Sequence, residues 1–181
     1  MINKENSLCF SGHRRERLPK NKKDMRKLKH FLSNEIDNAI KNGIYTFYFG
    51  ACYGFDLMCA DIVLKRRIII NLITPVKIKL IAVIPFEKQA FLWKENDISL
   101  YKNILKQCDR VITLNKEHKN GCYFERNRYM VDHSGTLICY YNGGKGGTAY
   151  TVDYAKENNL KIINLYNKLN SETTWIKKAS H

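Results

Sequence analysis

Residues 126–155 read RNRYMVDHSGTLICYYNGGKGGTAYTVDYA, and this stretch decides the fold. A basic segment with Arg126 and Arg128 comes first, then the apolar run TLICYY at 136–141, then Asn142 and the turn Gly143-Gly144-Lys145-Gly146-Gly147-Thr148. The order reads as helix, strand, glycine turn, helix. Glycines let a backbone turn tightly and bring N–H groups close to an anion without Cβ obstruction. A helix opening near Thr148 aims the positive end of its dipole at the same point. A glycine turn in this setting, with two arginines upstream, predicts a pocket for a phosphorylated ligand.

Outward from this stretch, strands and helices alternate along the whole chain. Residues 7–10 (SLCF) form a short apolar strand that runs into Ser11-Gly12-His13-Arg14. Met25, Leu28, Leu32, Ile36, Ala39 and Ile40 recur at helical spacing, so residues 24–42 form an amphipathic helix, with Gly43 as its stop. A second strand at 46–49 enters GACYGFD (50–56), followed by a long helix towards Ile73 and by Pro75. Strands follow at 79–84, 110–114, 136–141 and 160–165. Helices lie between them at 98–107, with Asp97 as N-cap, at 125–133 and at 148–159. Repeated strand–helix–strand units of this size imply an α/β, Rossmann-like fold, a mainly parallel sheet with helices on both faces. Residues 1–166 read as one domain and residues 167–181 as a polar C-terminal tail. Ligands of such sheets sit outside the carboxyl ends of the strands, where the loops at 11–15, 50–56 and 142–148 converge.

The 181 residues suffice for a sizeable core, and no apolar run approaches the ~20 residues that span a bilayer. The N-terminus lacks the apolar stretch of a signal peptide, so the expected location is cytoplasmic and no membrane partner is expected. Six cysteines without a CxxC pair read as reduced, buried thiols, not as a disulfide frame or metal site. The net charge is +14. The first thirty residues hold ten Lys or Arg against three acids. Such a balance suits nucleic acid, nucleotides or other anionic partners, although a solvated lysine-rich surface looks the same.

CFSGHR, GACYGFD, PFEKQAFLW, CYFERNRYMVDHS and GGKGGTAYTVDYA, in this order, resemble the YpsA-like branch of the SLOG superfamily, which is named for the DprA/Smf and LOG proteins. The resemblance spans residues 9 to about 165. It implies a Rossmann-like domain whose glycine loops hold a nucleotide-derived ligand: ADP-ribose, an NAD-derived molecule or a cyclic signalling nucleotide. It also implies settings of bacterial conflict and phage defence, and association into a homo-oligomer. The ligand-contact candidates are Ser11, Gly12, His13 and Arg14 of the first loop, and Gly50, Tyr53, Gly54 and Asp56 of the second. Gln89 and Trp93 follow, four apart and on one face if helical. Arg126, Asn127, Gly143, Gly144, Gly146, Gly147 and Thr148 complete the set.

Several of these carry more than one reading from sequence. His13 contacts a ligand, caps a helix or packs. Asp56 meets a ribose or only complements a helix dipole. Tyr53 stacks on a base or packs on a neighbouring loop. Arg126 holds a phosphate, as a nearby arginine does in LOG-like proteins, or pairs with Glu125 or Asp132. LOG-type phosphoribohydrolases follow their glycine–threonine turn with a glutamate that helps cleave the N-glycosidic bond. Here Ala149-Tyr150-Thr151 follows, with Asp56 of the second loop as the alternative source of a carboxylate, so no catalytic residue, metal or required cofactor is assigned. The expectation is a binder, a sensor or sequestering sponge for a nucleotide-derived small molecule. The alternatives are a LOG-like nucleoside-monophosphate phosphoribohydrolase and DprA-like binding of single-stranded DNA.

Overall fold

In a computed structural model, which describes residues 4–178, six strands form one sheet: β1 (Ser7–Gly12), β2 (Thr46–Phe49), β3 (Lys79–Ile84), β4 (Arg110–Thr113), β5 (Thr136–Tyr140) and β6 (Lys161–Asn164). The helices are α1 (Lys22–Lys41), α2 (Phe55–Ile73), α3 (Glu95–Leu105), α4 (Cys122–Asp132), α5 (Gly147–Glu157) and α6 (Leu165–Lys178). The strand order is β4-β3-β2-β1-β5-β6, and every neighbouring pair is parallel. The expected Rossmann-like α/β architecture is therefore present, with a sheet that is wholly parallel.

Strand side chains alternate between two cores, as a period of two requires. Leu8, Phe10, Phe47, Phe49, Leu80, Ala82, Ile138 and Tyr140 point to one face, where Leu28, Leu32 and Ile36 of α1, Phe55 and Val63 of α2, and Leu165 and Leu169 of α6 cover them. Cys9, Tyr48, Ile81, Val83, Leu137 and Cys139 point to the other, under Met130 and Val131 of α4 and Val152 and Ala155 of α5. α1 begins at Asn21, whose side chain accepts the Asp24 N–H at 2.8 Å, and ends at Gly43 in the left-handed region at φ +84°.

Four local expectations change. α4 starts at Cys122, three residues earlier than the spacing predicts, because Gly121 at φ +80° turns the chain into the helix. Asp97 lies inside the first turn of α3, after Lys94 at the N-cap, and its carboxylate pairs with Arg15 instead of capping. Residues 85–94 form irregular turns, so Gln89 and Trp93 share no helix face. The segment from Asn167 continues α6, and its Leu169 is buried in the core; residues 179–181 lie outside the described part.

The sequence of crossovers sets the site. From β1 the chain winds outward through β2 and β3 to the edge strand β4, then returns to place β5 on the other side of β1. The winding reverses between β1 and β5, so the loops after these two strands part and leave a crevice. Among the described residues no helix is long and apolar enough to cross a membrane.

Candidate functional site

The first two loops are fastened backbone to backbone. Gly12, the last residue of β1, lies under Phe55 at the start of α2: a Cβ there would come 2.4 Å from the Phe55 ring. The Phe55 N–H donates to the His13 carbonyl at 3.2 Å. Gly54 has φ +98°, and a Cβ on it would meet the Arg15 nitrogen at 2.7 Å and Arg14 Cα at 2.9 Å. Only glycine fits both the conformation and the space.

The third loop is tied to the first by His13. Its Nε2 donates to Asn142 Oδ1 at 2.9 Å, and the same oxygen accepts the Gly144 N–H at 3.1 Å. Burial lowers the His13 pKa, and Arg17 lowers it further against the Asn142 hydrogen bond, which favours the neutral ring. Gly146, at φ +136°, delivers the chain into α5.

α4 latches the second loop to the third. The buried Arg126 guanidinium donates to the Gly50 carbonyl, and its Nε donates to Asn127 Oδ1 at 2.8 Å. Asn127 Nδ2 in turn donates to the Gly147 carbonyl at 3.3 Å. The ion-pair partner of Arg126 is Asp56, at 3.9 Å. It is neither Glu125, which pairs with Lys119 and Asn115, nor Asp132, which accepts from the Tyr154 hydroxyl. Asp56 is buried, and desolvation pushes its carboxyl up to about 6, against the opposing pull of Arg126 and of the Cys52 and Gly50 backbone.

Between these loops lies a cleft of about 470 Å³. Ser11, Gly12, His13, Arg14, Asp56, Arg126, Asn127, Gly147 and Thr148 line it. The other candidates stand behind its wall. Gly50 and Gly54 make loop contacts, while Gly143, Gly144 and Gly146 shape the third turn. Tyr53 is packed edge-on against Trp93 at 5.1 Å with the Arg14 guanidinium over its ring at 5.3 Å, and Trp93 meets Tyr101 at 5.4 Å. Gln89 is buried and donates to the Ala51 carbonyl at 3.4 Å. A second cavity of about 680 Å³ lies between α1 and α2, lined by apolar side chains such as Leu18, Met25 and Met58. Of the first two glycine loops only Arg15 and Gly54 reach it.

Sequence reasoning missed Glu16, Arg17, Cys52, Tyr123 and Phe124, which also line the cleft. Tyr123 and Phe124 open α4, and Gly121 just before them is the one sequence signal that places them there. The cysteines are all free, and burial pushes the Cys9, Cys108 and Cys139 thiols up to about 12. Among the described residues no group of three His, Cys, Asp or Glu side chains is placed to hold a metal.

α2, α4 and α5 each begin at a glycine, Gly54, Gly121 and Gly146, with no side-chain cap, and α5 has no acid in its first turn. Residues from the first turn of all three helices line the cleft, so their dipoles act on the same space as Arg14, Arg17 and Arg126. The parallel sheet with a cleft at its switch point defines a Rossmann-like α/β protein. The YspA SLOG family (YpsA) matches residues 8–173, and the chain belongs to that family. The SPbeta prophage-derived protein YoqJ of Bacillus subtilis (strain 168) is 30% identical over 152 residues, covering 75% of this chain and 84% of YoqJ. A UPF0398 protein of Bacillus cereus (strain G9842) is 27% identical over 133 residues, covering 72% of this chain and 70% of the relative. Of solved structures, DNA processing protein A from Helicobacter pylori, described for its single-stranded DNA binding mode, superposes with a TM-score of 0.57 at 16% identity, over 92% of this chain and 72% of that one. DNA processing protein A from Streptococcus pneumoniae gives 0.58 at 16% identity, over 88% and 50%. At these identities the likeness is one of fold.

Proposed function

We propose that the chain binds a phosphate-bearing, nucleotide-derived small molecule of the ADP-ribose, NAD-derived or cyclic-nucleotide kind in the switch-point cleft, as a sensor or a sequestering sponge. One observation carries this reading: three uncapped helix N-termini and three arginines border one cleft. Oriented N–H groups and guanidinium forks both select phosphate oxygens. The N–H groups at Gly147 and Thr148 take a phosphate. Arg14 and the outer edge of Arg126 complement its charge, and Ser11 and Asp56 face a ribose. The prophage origin of YoqJ fits a role in conflict between phage and host.

Binding is favoured over turnover by what α5 presents. Its first carboxylate, Asp153, is exposed and paired with Lys156, so α5 sends no acid towards a glycosidic bond. Isothermal titration with ADP-ribose, NAD, AMP and cyclic nucleotides tests the reading, with chromatography of the recovered ligand. An intact ligand supports a binder; release of free base and ribose phosphate supports the phosphoribohydrolase. If Arg126→Ala and Gly146→Asp both leave nucleotide affinity unchanged, the cleft is the wrong site.

The +14 charge and the fold likeness to a protein with a single-stranded DNA binding mode keep a second reading in view. Oligonucleotide binding would fall steeply with salt, because several counterions are released, whereas a small ligand with few phosphates gives a shallow slope. Assembly into a homo-oligomer belongs to the same proposal. The exposed aliphatic stripe of Ile68, Ile69, Leu72 and Ile73 on α2 supports it, and light scattering tests it.

A further inference from the structure

Phe124 is the one exposed large hydrophobic side chain among the described residues that also lines the cleft; it is 42% exposed. A phenyl ring left in water at the mouth of a charged cleft gains burial only when something apolar covers it. The ring is also held firmly. It sits in the first turn of α4 and rests on Tyr150 of α5, with centroids 4.5 Å apart and planes tilted by 52°. The Tyr150 hydroxyl in turn accepts from Arg128 Nη1 at 2.8 Å. The neighbouring Tyr123, which also lines the cleft, is engaged edge-on with Phe86 at 5.9 Å and lies beside His118.

Resting on the phosphate reading above, we propose that the ligand carries a nucleobase and that this base stacks on Phe124. The spacing agrees. Tyr150, which backs Phe124, lies three residues along α5 from Gly147, a rise of about 4.5 Å. The aromatic wall therefore stands about one helical turn from the anion end of the cleft, within the reach of a single nucleoside phosphate. Recognition is through the face of the base. Asn127, the amide in the cleft suited to read a base edge, is committed on both sides: its oxygen accepts from Arg126 and its nitrogen donates to Gly147. Stacking is sequence-tolerant because every base has a π-face. The structure thus assigns Phe124 as an affinity determinant with weak discrimination among bases.

The test is calorimetric titration of wild type, Phe124→Ala and Phe124→Trp with AMP, CMP and ribose 5-phosphate at one salt concentration, after circular dichroism confirms that each variant is folded. Wild type should bind AMP at least about tenfold more tightly than ribose 5-phosphate, in the range that base–aromatic stacking supplies. Phe124→Ala should abolish this advantage while leaving ribose 5-phosphate affinity unchanged, and Phe124→Trp should keep it. CMP should bind within about tenfold of AMP. An AMP to ribose 5-phosphate ratio that is the same in wild type and Phe124→Ala overturns the stacking assignment and leaves the phosphate reading standing. A wild type that binds ribose 5-phosphate and AMP equally does the same. If wild type binds none of the three ligands, the phosphate reading fails and the stacking assignment falls with it.

Discussion

Raising the pH should destabilise the wild-type chain relative to an Asp56→Asn variant, the reverse of what a well-paired carboxylate does. Asp56 is 6% exposed and 3.9 Å from Arg126, so two effects oppose each other. Desolvation disfavours the charged carboxylate, while the guanidinium favours it. Burial outweighs the Cys52 and Gly50 backbone hydrogen bonds because the Arg126 N–H groups donate to the Gly50 carbonyl and Asn127, so Arg126 offers Asp56 a charge contact without a hydrogen bond. The folded carboxyl titrates at about 6 against 3.8 for the free group. The native state binds the proton more tightly, so this contribution to stability is fully present below about pH 4 and is lost as the pH rises through about 6. The gap is worth about 3 kcal/mol, of which about 2 kcal/mol falls between pH 4.5 and 7.5. Urea unfolding of both proteins at half-unit pH steps measures it, since other carboxylates titrate in both and cancel in the difference. The wild-type minus variant stability should drop by about 2 kcal/mol across that interval. A flat difference, or a wild type that gains on the variant as the pH rises, would show that Arg126 dominates and would refute the reasoning.

Gly54→Ala should lose roughly 2–4 kcal/mol in the same assay, since φ +98° is strained for alanine and its Cβ would press on the backbone of Arg14 and Arg15. Leu169→Ala should lower stability by about 2–4 kcal/mol, as expected for a core leucine on a docked helix; a loss under about 0.5 kcal/mol would mean that α6 does not pack as described. Asn142→Ala removes the acceptor shared by His13 and the Gly144 N–H, so it should cost about 1–2 kcal/mol and weaken AMP binding several-fold by calorimetry.

Much of this architecture is legible in the sequence because it rests on local rules. Short apolar runs became strands, the Met25 to Ile40 stripe became α1, and the glycine turns fell at strand ends where a sheet of this kind puts its ligand. What stayed hidden depends on distant partners. Arg126 meets a carbonyl 76 positions away at Gly50, and no spacing rule within α4 points there. Asp97 has the composition of an N-cap, but a charge 82 positions away on Arg15 claims it. Tyr53 reads as stacking on a base or packing on a neighbouring loop, and its contact with Trp93, another ligand candidate, is of the packing kind. The aromatic that remains open, Phe124, follows a polar loop with no periodic signal, and only Gly121 marks the helix start that presents it.

The reversal of winding between β1 and β5 also governs when the cleft can exist. The two strands are neighbours in the sheet, but Thr136 lies 124 positions beyond Gly12. At ribosomal rates of about 5–20 residues per second, β1 emerges roughly 6–25 s before its partner. During that interval one hydrogen-bonding edge of β1 has no native neighbour, and only the half sheet β1 to β4 can assemble. The walls contributed by α4 and α5 arrive last. A ligand therefore cannot rescue a nascent chain early in translation; it can stabilise the protein only once the final third has been synthesised and docked.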